Sequence, residues 1–230
     1  MVDMAVVRRA WQVGETLKAD KETVYPEHSK VQDFDKIRRK NVLEYGCGAG
    51  SDSVSYLRRG NSVTYCDVVP ENVQATARRI EASGFTIDSR GVTLENTTPL
   101  PFLEHVFDVV NCHGVLHHIE DPVPLLREFY RVTKPDAVLY IMAYTEHLRQ
   151  RSDKMVTTLM ANGLSEAEAF GEATDGHVPY ARAYSSHEML SLLESLNFRV
   201  TKMVEYNNKD FRTYTVKKAQ PQKPRPEPDE

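Results

Sequence analysis

From Asn41 onward the apolar positions fall into short blocks separated by longer amphipathic ones. NVLEY (41–45), SVTYCDVV (62–69), FDVVNCH (107–113) and AVLYIMAY (137–144) are short apolar runs rich in β-branched and aromatic residues. Each predicts a strand buried on both faces. Between them SDSVSYLRRG, PENVQATARRIEASGF and DPVPLLREFYRVTKP read as amphipathic helices. This alternation implies parallel β-α-β crossovers and an α/β fold whose mostly parallel sheet is covered on both faces. Near the end, FRVTKMVEYNN and DFRTYTVKK predict a closing antiparallel pair.

The flanks depart from this rhythm. Residues 1–40 are polar and mixed, with an amphipathic segment at 6–17 and a turn signal at Tyr25-Pro26, and predict an N-terminal helical cap. The main domain is expected over 41–216. Within it, residues 145–184 form an insertion with two helix-like stretches, KMVTTLMANG and SEAEAFGEA, followed by the loop DGHVPYARAY. Late insertions in α/β domains commonly build a lid or a substrate wall. SSHEMLSLLESLNF then restores a helix, with Ser186 as its expected N-cap and Met189, Leu190, Leu192, Leu193 and Leu196 as its core stripe. Residues 217–230 end in the proline-rich, charged AQPQKPRPEPDE and are expected to be a disordered tail.

Composition narrows the class. A chain of 230 residues with net charge −4 and 27% charged residues suits one globular domain with a full core. No stretch is apolar for long enough to span a bilayer, and the N-terminus lacks the pattern of a secretory signal, so a cytoplasmic protein with no membrane partner is expected. Cys47, Cys66 and Cys112 match no zinc spacing and read as reduced, buried thiols. No metal is expected. Mild acidity argues against tight nonspecific binding to nucleic acid, which depends on lysine and arginine neutralising phosphates.

The chemistry begins at GCGAG. Glycines directly after a first strand let backbone approach a ligand without Cβ interference, and the following helix aims its amides at polar groups. The spacing is G-x-G-x-G; the dinucleotide fingerprint G-x-G-x-x-G would need glycine at 51, where this chain has Ser51. About 20 residues on, Asp67 ends the second strand, where a carboxylate can accept hydrogen bonds from ribose hydroxyls. Loop and carboxylate together imply a nucleoside ligand.

At this point VLEYGCGAG (42–50), YCDVVPENV (65–73), LPF (100–102), FDVVNCHGVLHHIEDP (107–122) and RVTKPDAVLYIM (131–142) in combination resemble the class I S-adenosylmethionine-dependent methyltransferases, in the broad small-molecule group of type 11/12 pattern. The resemblance implies a Rossmann-like, seven-stranded sheet. It implies S-adenosylmethionine as cofactor, S-adenosylhomocysteine as product, and methyl transfer to an O, N or C atom of a small-molecule acceptor. By the same resemblance Glu44 orders the loop, Gly46, Gly48 and Gly50 admit the cofactor, Asp67 holds the ribose and Val68 packs on adenine. The family's acidic adenine contact falls at Asn96, with Glu95 beside it. A second departure is KPDA (134–137), where the family has a glycine pair.

Asn111, a candidate cofactor contact, and His113 fall at the end of the fourth strand, where substrate meets the methyl group in the family. His113 stands where relatives carry an apolar or small residue; an imidazole titrating near neutral pH is a candidate general base. The His117-His118 pair follows the family's common L-H-H pattern, and His117 is the second candidate for the catalytic pocket. His177, Tyr180, Arg182 and Tyr184 are the candidate substrate wall, with Arg182 able to grip a carboxylate or phosphate. Two alternatives compete with the small-molecule reading. A nucleic-acid or protein methyltransferase is disfavoured because the Asn/Asp-Pro-Pro-aromatic signature is replaced by Asn111-Cys112-His113-Gly114. A noncatalytic S-adenosylmethionine-binding module is disfavoured by the intact loop and Asp67.

Overall fold

The computed structural model describes residues 31–85, 88–176 and 178–219. Among these, seven strands form one sheet: β1 (Asn41–Tyr45), β2 (Ser62–Asp67), β3 (Ser89–Thr93), β4 (Phe107–His113), β5 (Thr133–Tyr144), β6 (Phe198–Tyr206) and β7 (Phe211–Lys218). Their order is β3-β2-β1-β4-β5-β7-β6. The first five run parallel, and β7 inserts antiparallel between β5 and β6. This is the Rossmann-like sheet with its closing antiparallel pair.

Helices α1 (Ser51–Leu57), α2 (Pro70–Ala82) and α3 (Val123–Val132) make the crossovers. Pro70 opens α2 at a position where its missing N–H costs nothing. The α3 stripe Leu125, Leu126, Phe129 and Val132 is buried in the larger core, together with Leu43, Val110, Leu139 and Ile141. Val42, Val63, Val109 and Tyr140 point to the opposite face, where they meet α1 residues Val54, Tyr56 and Leu57. Alternate residues of one strand thus feed two cores, as a doubly covered sheet requires.

The insertion contains α4 (Glu146–Arg151), α5 (Asp153–Ala161) and α6 (Glu166–Asp175), and α7 (Ser186–Ser195) follows it. A capping box between Ser165 and Glu168 starts α6. The N-cap of α7 is Ser185, whose hydroxyl accepts from Glu188 N at 3.0 Å; Ser186, the expected cap, is the first helical residue.

Three other expectations shift. β3 carries Ser, Arg and Gly at an exposed edge, a composition with no apolar run to mark it as a strand. The third crossover helix stops at Val132, because KPDA lies within β5. Lys217 and Lys218, assigned to the tail, belong to β7. Most of the expected N-terminal cap (1–30) and the tail from 220 lie outside the described residues. Of the cap, Phe34 is buried edge-to-face on Tyr56, with ring centroids 4.7 Å apart.

Candidate active site

Strand order reverses between β1 and β4, and the carboxyl ends of those two strands flank the crevice where open parallel sheets bind ligands. Gly46 follows β1 there, and His113 ends β4. The glycine loop takes its shape from left-handed backbone: Gly46, Gly48 and Gly50 have φ of 75°, 50° and 77°. A Cβ at Gly46 would collide with Val115, and one at Gly50 would come within 2.9 Å of Thr76 Cγ2. At Gly48 a Cβ would meet nothing within 4 Å. Of the three, Gly48 faces open space.

Both ends of that residue are tied. Gly48 N donates to Asp67 Oδ2 at 3.2 Å, and Gly48 O accepts from Thr76 Oγ1 at 3.0 Å. Asp67 also accepts from Val69 N at 3.0 Å and from Asn72 Nδ2 at 2.9 Å. Burial pushes its carboxyl above the usual aspartate value, while the donors from Val69, Asn72 and Gly48 pull the other way. The Val68 backbone N–H is a further donor to the same carboxylate.

Behind the loop, Ser53 of α1 donates to Glu44, which is 2% exposed. Asn111 Nδ2 donates to the buried Asp52 Oδ2 at 3.0 Å, which binds β4 to α1. Asn111 therefore supports the loop from below, and Asp52 and Asn72 are site-building residues that sequence reasoning missed. Val68 packs partly buried against the larger core, while Glu95 and Asn96 are exposed on the loop after β3. Arg131 secures the far end of that loop, donating to Phe102 O at 2.8 Å and Leu100 O at 3.1 Å.

These features fit S-adenosylmethionine: bare backbone beside open space, a buried strand-end carboxylate bonded to the glycine loop, and a helix N-terminus at Ser51. Residues 43–141 match the family model described as "Methyltransferase domain". The chain carries a class I S-adenosylmethionine-dependent methyltransferase domain. It is 30% identical over 138 residues to the ubiquinone biosynthesis O-methyltransferase of Actinobacillus pleuropneumoniae serotype 7, covering 57% of this chain and 59% of that protein. With the enzyme of that name from Pseudomonas aeruginosa (strain LESB58) it shares 32% identity over 102 residues, 44% of this chain and 43% of that one. The chain thus spans only about half the length of these curated relatives. In fold it is similar to a methyltransferase from Aquifex aeolicus, with TM-score 0.67 and 19% identity over 90% of this chain and 97% of that one. It is also similar to Burkholderia thailandensis 1,6-didemethyltoxoflavin-N1-methyltransferase, solved with its substrate and S-adenosylhomocysteine, with TM-score 0.66 and 19% identity over 94% and 89% of the two chains.

Around the far wall of this methyltransferase domain lies a set of rings. His113 Nε2 is 2.6 Å from the hydroxyl of Tyr206, at the end of β6. His117 is fully buried and stacks on Tyr144 with centroids 3.6 Å apart; neither ring nitrogen has a hydrogen-bond partner among the described residues. Burial, reinforced by His118 and His113, holds its pKa well below the usual histidine value, so it is a neutral wall residue at pH 7. His118 Nδ1 donates to Tyr180 O at 2.9 Å, and its Nε2 lies 3.7 Å from Asp175 at the end of α6. Tyr144 donates to the same carboxylate at 2.6 Å. Asp175 therefore fastens the insertion to the end of β5 and to the turn that follows β4.

The expected substrate wall is dispersed. Arg182 pairs with Glu188 and lies 4.5 Å from the centre of the Tyr184 ring. It lines a cleft of about 600 Å³ with Arg149, Glu166 and Phe170, between α4 and α6. Tyr184 is 1% exposed within the main core, where burial pushes its pKa up to about 12. It is a packing residue. Tyr180 meets the site through its carbonyl, and His177 lies outside the described residues. Among the described residues no cluster of three or more histidine, cysteine or acidic side chains is placed to hold a metal ion, and no helix is long and apolar enough to cross a membrane.

Proposed function

We infer that the protein transfers a methyl group from S-adenosylmethionine to a hydroxyl oxygen of a small molecule, with His113 receiving the proton. The observation that carries this reading is an imidazole at the carboxyl end of β4, across the switch-point crevice from the Gly46–Gly50 loop. When bound, S-adenosylmethionine supplies a methyl group already activated for transfer. What remains for the chain is to hold the donor, orient the acceptor and remove its proton. Gly48 and Asp67 serve the first task. The named O-methyltransferase relatives support oxygen as the acceptor atom.

The test separates binding from transfer. Calorimetric titration should show micromolar binding of S-adenosylmethionine and S-adenosylhomocysteine, and none of NAD. His113→Asn should keep both affinities while slowing transfer to a screened hydroxyl acceptor by roughly a hundredfold. Equal loss of binding and transfer would assign His113 to structure. Absence of binding would leave the domain as a module that needs a partner to complete its pocket.

A further inference from the structure

Tyr206 and His113 are brought together from distant parts of the fold. β6 and β4 are separated in the sheet by β7 and β5, three strand spacings or about 14 Å. Tyr206 closes that gap by lying across the sheet, packed against Met142 and Val31. Met142 is the register partner of His113 on β5. The turn behind Tyr206 is anchored as well. Asn207, Asn208 and Lys209 are all left-handed, and the buried Asp210 that follows pairs with Arg151 at 2.6 Å and His147 at 3.3 Å. Thr145, just past the end of β5, donates its N–H to Asp210 O at 3.0 Å. The phenol is thus held from the turn as well as by its hydrogen bond.

A hydroxyl 2.6 Å from Nε2 commits that nitrogen to Tyr206. A neutral phenol draws its lone pairs into the ring and donates more strongly than it accepts. The favoured arrangement is O–H donating to an unprotonated Nε2, with the ring proton on Nδ1. We propose that Tyr206 is the group that touches the acceptor hydroxyl and relays its proton to His113. This extends, and rests on, the reading of His113 as the proton's destination.

The step balances. As the acceptor oxygen forms its bond to the methyl carbon, that carbon's bond to sulfur breaks with its electron pair left on sulfur, so that S-adenosylhomocysteine is the leaving group; the acceptor's O–H bond breaks and that proton joins Tyr206 Oη. The original Tyr206 proton moves to His113 Nε2, and the tyrosine ends neutral. The positive charge delivered with the methyl group finishes on the imidazolium, which returns a proton to water. No further reactant is needed. Exchange through a phenol is easiest for an acceptor of similar acidity, so the relay favours phenolic or enolic hydroxyls over aliphatic alcohols, whose protons are far harder to remove.

The experiment reads the tautomer directly and needs no known acceptor. The full chain is labelled with ¹⁵N-histidine, His113 is assigned by its loss in His113→Asn, and spectra are recorded with and without S-adenosylhomocysteine. Neutral His113 should carry its proton on Nδ1. In Tyr206→Phe the balance should move toward Nε2–H, with S-adenosylhomocysteine affinity unchanged. An Nε2–H tautomer in the wild type, or a tautomer indifferent to Tyr206→Phe, overturns the relay and leaves His113 able to act alone. Full transfer activity in His113→Asn would instead remove the proton-acceptor reading itself, whatever the tautomer. Should a variant fail to fold, the wild-type spectrum still distinguishes Nδ1–H from Nε2–H, and the second form alone overturns the relay.

Discussion

Gly48→Ala tests whether the glycine loop is a cofactor cradle or only a turn. The residue has φ of 50°, so a side chain incurs left-handed strain of about 1–2 kcal/mol. It incurs no collision, because a Cβ there meets nothing within 4 Å. For a domain of this size each kcal/mol lowers Tm by roughly 2–4 °C, so the melt should fall by about 2–8 °C. The matched control is Gly60→Ala. Gly60 also sits at positive φ, 75°, with nothing within 4 Å of a Cβ, but it precedes β2 at the opposite end of the sheet. The two variants should lose similar stability in a thermal melt.

They should part company in a titration with S-adenosylhomocysteine. If the loop is a cradle, the ligand approaches through the space beyond Gly48, and a methyl group there should weaken binding by about tenfold or more, near 1.4 kcal/mol. Gly60→Ala should bind as wild type. Unchanged affinity in Gly48→Ala would refute the cradle, and parallel loss in both variants would reduce the effect to general destabilisation. Gly46→Ala and Gly50→Ala cannot make this distinction, since their new methyl groups would strike Val115 and Thr76.

Two further outcomes follow from the same contacts. Burial raises the Asp67 pKa, so the folded chain holds that proton more tightly than the unfolded one. Stability from this carboxyl is therefore full below the ordinary aspartate value and is lost as pH rises through the raised one. The urea midpoint of wild type minus that of Asp67→Asn should fall from about pH 4 upward, and a pH-independent difference would contradict the direction. Arg131→Ala removes the donors to Leu100 O and Phe102 O and the ion pair with Glu128, at a cost of about 1–3 kcal/mol. It should speed proteolytic cleavage beside the exposed Leu103, whereas an unchanged cleavage rate would mean that the loop is held by other contacts.

What the chain's pattern discloses, and what it hides, divides by the range of the interaction. β1, β2, β4 and β5 announce themselves because a strand buried on both faces must be apolar throughout. β3 does not, because an exposed edge strand is paired on one side only and tolerates Arg90 and Gly91. The same contrast runs through the site. Gly46, Gly48, Gly50 and Asp67 are legible because local backbone geometry and a short spacing dictate them. Asp52, bonded to Asn111 across 59 residues, and Tyr206, bonded to His113 across 93, have no local signature. Arg182 and Tyr184 show the converse: aromatic and basic letters crowded in one loop look like a binding wall, yet both side chains find partners within the fold. Tyr184 hydrogen-bonds its N–H to Tyr144 O and faces the core, while Arg182 turns to Glu188. Under the proposed relay, proton traffic near the acceptor depends on tertiary placement, and the tautomer of His113 reports on it more directly than any motif.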